Sequence, residues 1–483
     1  HIGDEDAIVK RIISDLEVLN IHRTPLNCLT LLKVLEVDFD ESPVNRTEMI
    51  KRILFLLFNM DNIPTYKVRP DLKDCEYVLG HFCEKMLREN KYFFSRESFL
   101  QVLEEFCNNR FIDLEVEVVF DVLYANNIIV KRGGLFCFRF NYWIYYFIAQ
   151  SMHHDKDFAD YILEEMRYAS APEIIEFYTG IDRRRENALQ VLIKDMQFNC
   201  EQVQKKLGIP VGLNPYRFAQ WVSSPEAIKK MQDEIINGVR DSNLPISVKD
   251  QYADRKYDRV RPYDQSINTI LSDYSFVYVM QTMRAGARAL RNSDYADPKT
   301  RRELLQKITQ CWEEIAKVLL IVLPLLSEAG YACFDGVGFF LTGDFGDTWE
   351  KRFYTILNQI PLNIVSWCTD DMFSQKMGPL LIDQIKKETN ELKKHELMLL
   401  LIKQRPRGWK AHVQNYIESV AKNSFYLYDV YRRLQSQYRY GYMSPLTLKD
   451  IEYLIKMAAA KHLTGNKKPG ITLIKRVGND VLP

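Results

Sequence analysis

At 483 residues, with 47% hydrophobic and 27% charged side chains, the chain has the make-up of a globular protein of roughly two to four domains. Its 65 Lys and Arg nearly cancel its 64 Asp and Glu, and the formal charge of +1 argues against the broad basic surface used in sustained nucleic-acid backbone binding. Nine cysteines without a CxxC pair fit reduced thiols in a cytoplasmic setting better than a disulfide framework.

The chain opens on His1, which reads as the later part of a longer polypeptide, and DEDAIVKRIISDLEVL has neither signal-peptide nor transit-peptide character. Apolar residues recur three and four apart, so the expected fold is mainly α. Residues 1–68 read as a small helical domain. There Thr24 and Pro25 start one helix, and Ser42 and Pro43 start the next, with Asn45 and Thr47 as alternative caps.

Residues 69–150 read as a winged-helix-like domain: a helix at about 73–89, a second capped by Ser95, and a third over Leu114 to Tyr124. A short β-hairpin follows. Its first strand is Ile128 to Val130, its turn Lys131 to Gly134, and its return strand LFCFRF. The third helix carries Glu115, Glu117 and Asp121 with no Arg or Lys, which disfavours a DNA-reading role. The aromatics of NYWIYYF are expected to pack this domain against what comes next.

Residues 151–265 read as a helical connector whose pattern weakens after 200 and ends in the mixed-charge QYADRKYDRVRPYDQS, a solvated surface. Residues 266–463 form a large C-terminal helical array. In it, Ile315 to Ser327 contains Lys317 and Pro324 and is shorter than the about 20 residues of a bilayer span, so it reads as a buried helix and no membrane is expected. The glycine-rich 330–346 stretch and KQRPRGWKAHV punctuate the array. Residues 464–483 read as a tail with one short β-prone segment.

Candidate chemistry is sparse. No GxxxxGK[ST] phosphate cradle is present, so the chain is not a self-contained ATPase. Cys75, His81 and Cys83 match no common zinc spacing, and His153 and His154 read as surface histidines, so no metal site is assigned. The pairs Asp344 with Asp347 and Asp370 with Asp371 read as capping or turn residues, and no catalytic residue is assigned.

The order of units resembles the region after the nucleotide-binding core of STAND-type signalling ATPases, including bacterial NACHT-like antiviral defence proteins. VLNIHRTPLNCLTLLKVLE and PVNRTEMIKRILFLLF stand where that family has its small helical domain, followed by the winged unit and GLFCFRFNYWIYYFIAQSM. The resemblance covers about 1–152 and extends to EIIEFYTGIDRRRENAL, Glu173 to Leu189. Tyr146, Phe147 and Ala149 look like the end of the family's junction motif. The chain departs from the motif at Phe140-Asn141, where a histidine is common, and at Tyr145, where the family has an acid.

This resemblance implies that the helical and winged domains cover a nucleotide while 266–463 acts as a sensor. Pro25 looks like the family's proline near the adenine, and Arg139 is a candidate for approaching a phosphate; these are the two cofactor-binding candidates. Each also has a plain reading, Pro25 as a helix-start proline and Arg139 as an outward strand residue between Phe138 and Phe140. No cofactor is expected in this chain by itself, and ATP or ADP with magnesium would belong to an upstream core.

The implied partners are that core, an effector domain, a trigger such as a phage protein, and further copies of the chain on activation; nucleic acid is not favoured. The expected function is trigger sensing and control of nucleotide-dependent opening in antiviral defence. The alternative is a winged-helix and helical-repeat scaffold that binds protein or nucleic acid without a nucleotide cycle. A more distant one is an enzyme with its site near 330–346 and Asp370 or Asp371.

Overall fold

The computed structural model describes residues 5–18, 25–37, 45–59, 70–210, 212–244, 246, 249, 276–334, 337–340, 345–372, 375–441, 443–465 and 468–483. The chain divides into two compact units, His1–Asp195 with Arg284–Leu304, and Met196–Met283 with Leu305–Pro483. The architecture is mainly helical, as expected.

The first unit begins with α1 (Glu5–Val18), α2 (Pro25–Val37) and α3 (Arg46–Asn59). Asn45 caps α3, its Oδ1 accepting from Glu48 N at 2.8 Å. The other proposed cap residues Thr24, Ser42 and Pro43 lie outside the described residues.

The winged part is built from α4 (Leu72–Glu89), α5 (Arg96–Arg110), α6 (Val116–Ala125), β1 (Ile129–Arg132) and β2 (Leu135–Phe138). Local chemistry sets its boundaries. Asp71 accepts from Lys73 N and Asp74 N at the start of α4, and Ser95 Oγ accepts from Ser98 N at 3.1 Å at the start of α5. The hairpin pairs Ile129 with Phe138 through Arg132 with Leu135. Lys131 and Arg132 are therefore strand residues, and the turn narrows to Gly133 (φ 54) and Gly134 (φ 91), because only glycine takes both positive-φ positions without strain. Phe94 adds a third position to the sheet through reciprocal bonds with Phe136 at 2.9 and 2.8 Å. Phe82, Phe94, Phe99 and Phe120 are buried in the core, Phe82 edge-on to Phe94 and Phe99, and Phe99 edge-on to Phe120.

The hairpin leads into α7 (Asn141–His154), in which Trp143, Ile144 and every residue from Tyr146 to Met152 are buried. Helix α7 packs on α4 and on α9 (Glu173–Ile181), with α8 (Lys156–Leu163) between in sequence. Its approach to α4 is close: a methyl at Gly80 would meet Ser151 N at 3.1 Å and Phe147 O at 3.2 Å. The aromatic run is thus the central packing helix of this unit.

Helices α10 (Glu186–Leu207) and α13 (Pro298–Ala329) run from the first unit into the second, and α12 (Phe276–Asn292) runs from the second into the first; α11 (Pro225–Arg240) belongs wholly to the second unit. The apolar stretch around Leu320 lies within α13, where buried Lys317 pairs with Glu314 at 3.0 Å and Glu313 at 3.4 Å. The mixed-charge QYADRKYDRVRPYDQS segment lies outside the described residues.

The glycine-rich stretch holds a second antiparallel hairpin, β3 (Tyr331–Phe334) with β4 (Val337–Phe340), where the sequence suggests only a break. Helices α14 (Trp349–Met372), α15 (Gly378–Lys387), α16 (Glu391–Gln404), α17 (Trp409–Ser419), α18 (Phe425–Tyr440) and α19 (Pro445–Thr464) complete the array. The C-terminal segment corrects the β-prone expectation. ITLIKR forms α20 (Ile471–Arg476), which packs on α19 and buries Ile474, so tertiary contact overrides its β-branched composition.

Candidate functional site

The first unit contains a cleft of about 740 Å³ between the start of α3, the faces of α4 and α7, and the end of α9. Lys51, Lys73, Glu48 and Asp74 line it with mixed charge, and Glu76 and Tyr146 lie on its inner wall. Tyr146 donates its hydroxyl hydrogen to Glu76 Oε1, and Gln150 Nε2 donates to Tyr146 Oη at 2.9 Å. Burial pushes the Glu76 carboxyl above its ordinary range, against the opposing pull of Tyr146 and Lys51.

His153 and His154 border the cleft from the end of α7. Burial and the Arg185 guanidinium push both imidazoles down, which favours their neutral forms. They are exposed, as the sequence suggests, yet engaged: His153 meets Arg185, and His154 sits edge-on to Tyr77 with ring centroids 5.2 Å apart.

Behind the cleft lies a buried charge centre. Glu176, on α9, is fully buried and faces Arg46 of α3 at 3.2 Å and Arg288 of α12 at 3.0 Å. Arg291 of α12 closes on its other oxygen, and Asn292 Nδ2 donates to its backbone carbonyl at 2.8 Å. Burial alone would raise the Glu176 carboxyl, but Arg291, Arg46 and Arg288 outweigh it and hold the pKa at about 2. One carboxylate therefore ties together three helices distant in sequence. Beside it, Asn45 Nδ2 donates to Gly180 O at 3.2 Å, so the residue capping α3 also docks that helix on α9.

Pro25 is exposed as the first residue of α2, where it serves as a helix-start proline. Arg139 is exposed just beyond β2; its N–H donates to Ile128 O at 2.8 Å and its guanidinium lies 5.3 Å from the Phe140 ring centre. Neither residue is among those lining the cleft. The cleft lining carries both signs, with Lys51, Lys73 and Arg183 beside Glu48, Asp74 and Glu76.

Among the described residues no group of His, Cys, Asp and Glu is arranged to hold a metal ion. Cys75 and Cys83 are buried in α4 with thiols pushed up by burial, while His81 stacks on Phe106 at 4.0 Å. Asp347 is exposed 3.8 Å from Lys351 Nζ, whereas Asp344 and the side chains of Asp370 and Asp371 lie outside the described residues. Among the described helices none is long and apolar enough to cross a membrane.

The Glu176 centre is not identified from the sequence. EIIEFYTGIDRRRENAL contains Glu176, but its arginines stand 112, 115 and 130 positions away, beyond any local spacing rule. The clustered basic residues of MRAGARALRN, which place Arg288 and Arg291 on one helix face, are the available signal.

Residues 92–148 match the family model described as Novel STAND NTPase 4. The match runs from Tyr92 across α5, α6 and the hairpin into α7, and supports a relation to STAND NTPases. It includes Arg139 and the FRFNYWIYYFI part of the junction, and does not reach Pro25 or Glu176. No curated protein and no solved structure matches the chain.

Proposed function

We propose that this chain is the regulatory and trigger-sensing portion of a STAND-like signalling NTPase acting in antiviral defence in the cytoplasm. The single observation that carries the proposal is the family match over 92–148, which falls on the winged hairpin and its exit helix. Nucleotide chemistry, ATP or ADP with magnesium, belongs in this reading to a separate core, with Pro25 and Arg139 as the chain's candidate contributions.

The physical device would be the Glu176 centre. With Arg46, Arg288 and Arg291 converged on one carboxylate, α3, α9 and α12 are held together, and an opened form must separate buried charges. A trigger or nucleotide can shift that balance only by its difference in affinity for the closed and opened forms. Opening would then release surfaces for self-association and for an effector.

The test is hydrogen exchange on the natural gene product with magnesium and ADP or a non-hydrolysable ATP analogue. Faster exchange with the ATP analogue in 45–52 and 173–181 would support the reading. Identical exchange in both states, or a gene product without a nucleotide-binding core, would replace it with the helical scaffold.

A further inference from the structure

The second unit brings two cysteines into contact. Cys200 on α10 and Cys311 on α13 have their sulfurs 3.6 Å apart, and both are buried, at 1% and 0% exposure. Further along the same helices, Gln204 Nε2 donates to Glu314 Oε1 at 2.7 Å. The two contacts join residues 111 and 110 positions apart, so the helices advance in the same direction and the second bond holds their register beside the sulfurs.

We propose that Cys200 and Cys311 are a site of reversible oxidative modification, forming an intramolecular disulfide with a small peroxide as oxidant. The sulfurs must close by about 1.5 Å to reach the about 2.05 Å bond, a shift of the kind side-chain rotation within a helix pair supplies. In the first step one thiol gives up its proton as its sulfur attacks hydrogen peroxide; an S–O bond forms, the O–O bond breaks, and the leaving hydroxide takes that proton, so a sulfenic acid and water result. In the second step the partner thiol attacks the sulfenic sulfur, forming the S–S bond and releasing the hydroxyl as a second water. Two thiols and one peroxide give one disulfide and two waters, with two electrons passing from sulfur to peroxide oxygen.

Burial selects the oxidant. Peroxide has two heavy atoms and enters through small fluctuations, whereas a bulky glutathione disulfide needs the helices to part. The product would staple α10 to α13 across 111 positions of chain.

The experiment treats the full chain with hydrogen peroxide under native conditions, blocks remaining thiols after denaturation, and maps the peptides by mass spectrometry. The expected result is a Cys200–Cys311 cross-linked peptide pair 2 Da lighter than its separate parts, lost on reduction and accompanied by a rise in Tm on the order of 10 °C. Native oxidised glutathione should produce the same link much more slowly. Alkylation of both cysteines after peroxide treatment, or sulfinic acid on either in place of the link, would overturn the proposal. The readout comes from the unsubstituted chain, so no variant need fold; Cys200→Ala and Cys311→Ala serve only to confirm the peptide assignment.

Discussion

Gly180 lies directly against Thr47: a methyl group built on it would fall inside the contact radius of Thr47 Oγ1. The hydroxyl is buried without a hydrogen-bond partner, and the neighbouring Gly180 carbonyl accepts from Asn45. Helix α3 therefore docks on α9 at a glycine, where no side chain intervenes.

Gly180→Ala should cost about 1–3 kcal/mol through overpacking. Thermal or denaturant unfolding would register the loss, and adding Thr47→Ala should recover part of it by removing the hydroxyl. Equal stability of Gly180→Ala and the parent would mean that α3 moves aside freely.

Replacing Glu176 with Gln should destabilise the first unit by about 3–5 kcal/mol, because it leaves the arginines buried around a neutral amide. The same centre sets an acid limit. With its folded pKa at about 2, below the unfolded value of about 4.3, Glu176 contributes stability above the unfolded value and loses it as the pH falls toward 2. Urea unfolding at pH 6, 4 and 3 should show the parent converging on the Gln variant; a constant gap would remove Glu176 as the acid-sensitive group.

In the second unit, Glu396 is fully buried, and neither of its carboxyl oxygens has a hydrogen-bond partner. Burial first, then nearby Glu313, raises its pKa to about 8, against the lowering effect of Lys393. The folded form keeps its proton after the unfolded chain has lost it, so stability should fall by about 1.4 kcal/mol per pH unit between the unfolded pKa and about 8, then level off. Glu396→Gln should flatten that slope in denaturant titrations. An unchanged slope would place the titration elsewhere.

At the hairpin turn, Gly134 has φ 91, a conformation that strains any residue with a Cβ. Gly134→Val should cost about 1–2 kcal/mol and loosen β1 from β2, visible as faster amide exchange at Val130 and Arg132, the β1 residues whose pairs with Cys137 and Leu135 are the hydrogen-bonded ones. Unaltered exchange there would show that the wing is held by Phe94 and its core contacts alone.

Legibility followed the range of the interaction. Ser95 capping α5, Asn45 capping α3 and the two glycines of the wing are encoded within a few residues, so the sequence points to each. Lys131 and Arg132 pass from expected turn to observed strand because pairing with Phe136 and Leu135 extends the ladder to the glycines. ITLIKR has strand-like composition, but Ile474 is buried against α19 only when the segment coils. The hairpin at 331–340 is hidden in its glycines, which signal turns without showing which flanking residues pair.

The candidate site was much less legible than the fold. Residues chosen for their likeness to a family pattern, Pro25 and Arg139, are exposed and lie outside the cleft lining, while Glu176, Arg288 and Arg291 occur in helices that look ordinary one at a time.

By itself the sequence determined the mainly helical class, the wing and the central aromatic helix, because periodicity, caps and turn glycines act through neighbours in the chain. Only tertiary structure decided that Glu176 would gather arginines from two other helices and that Cys200 would touch Cys311. Each depends on burial and on side chains brought together across more than a hundred residues, where low solvent access gives charge and thiol contacts a strength that sequence spacing does not encode.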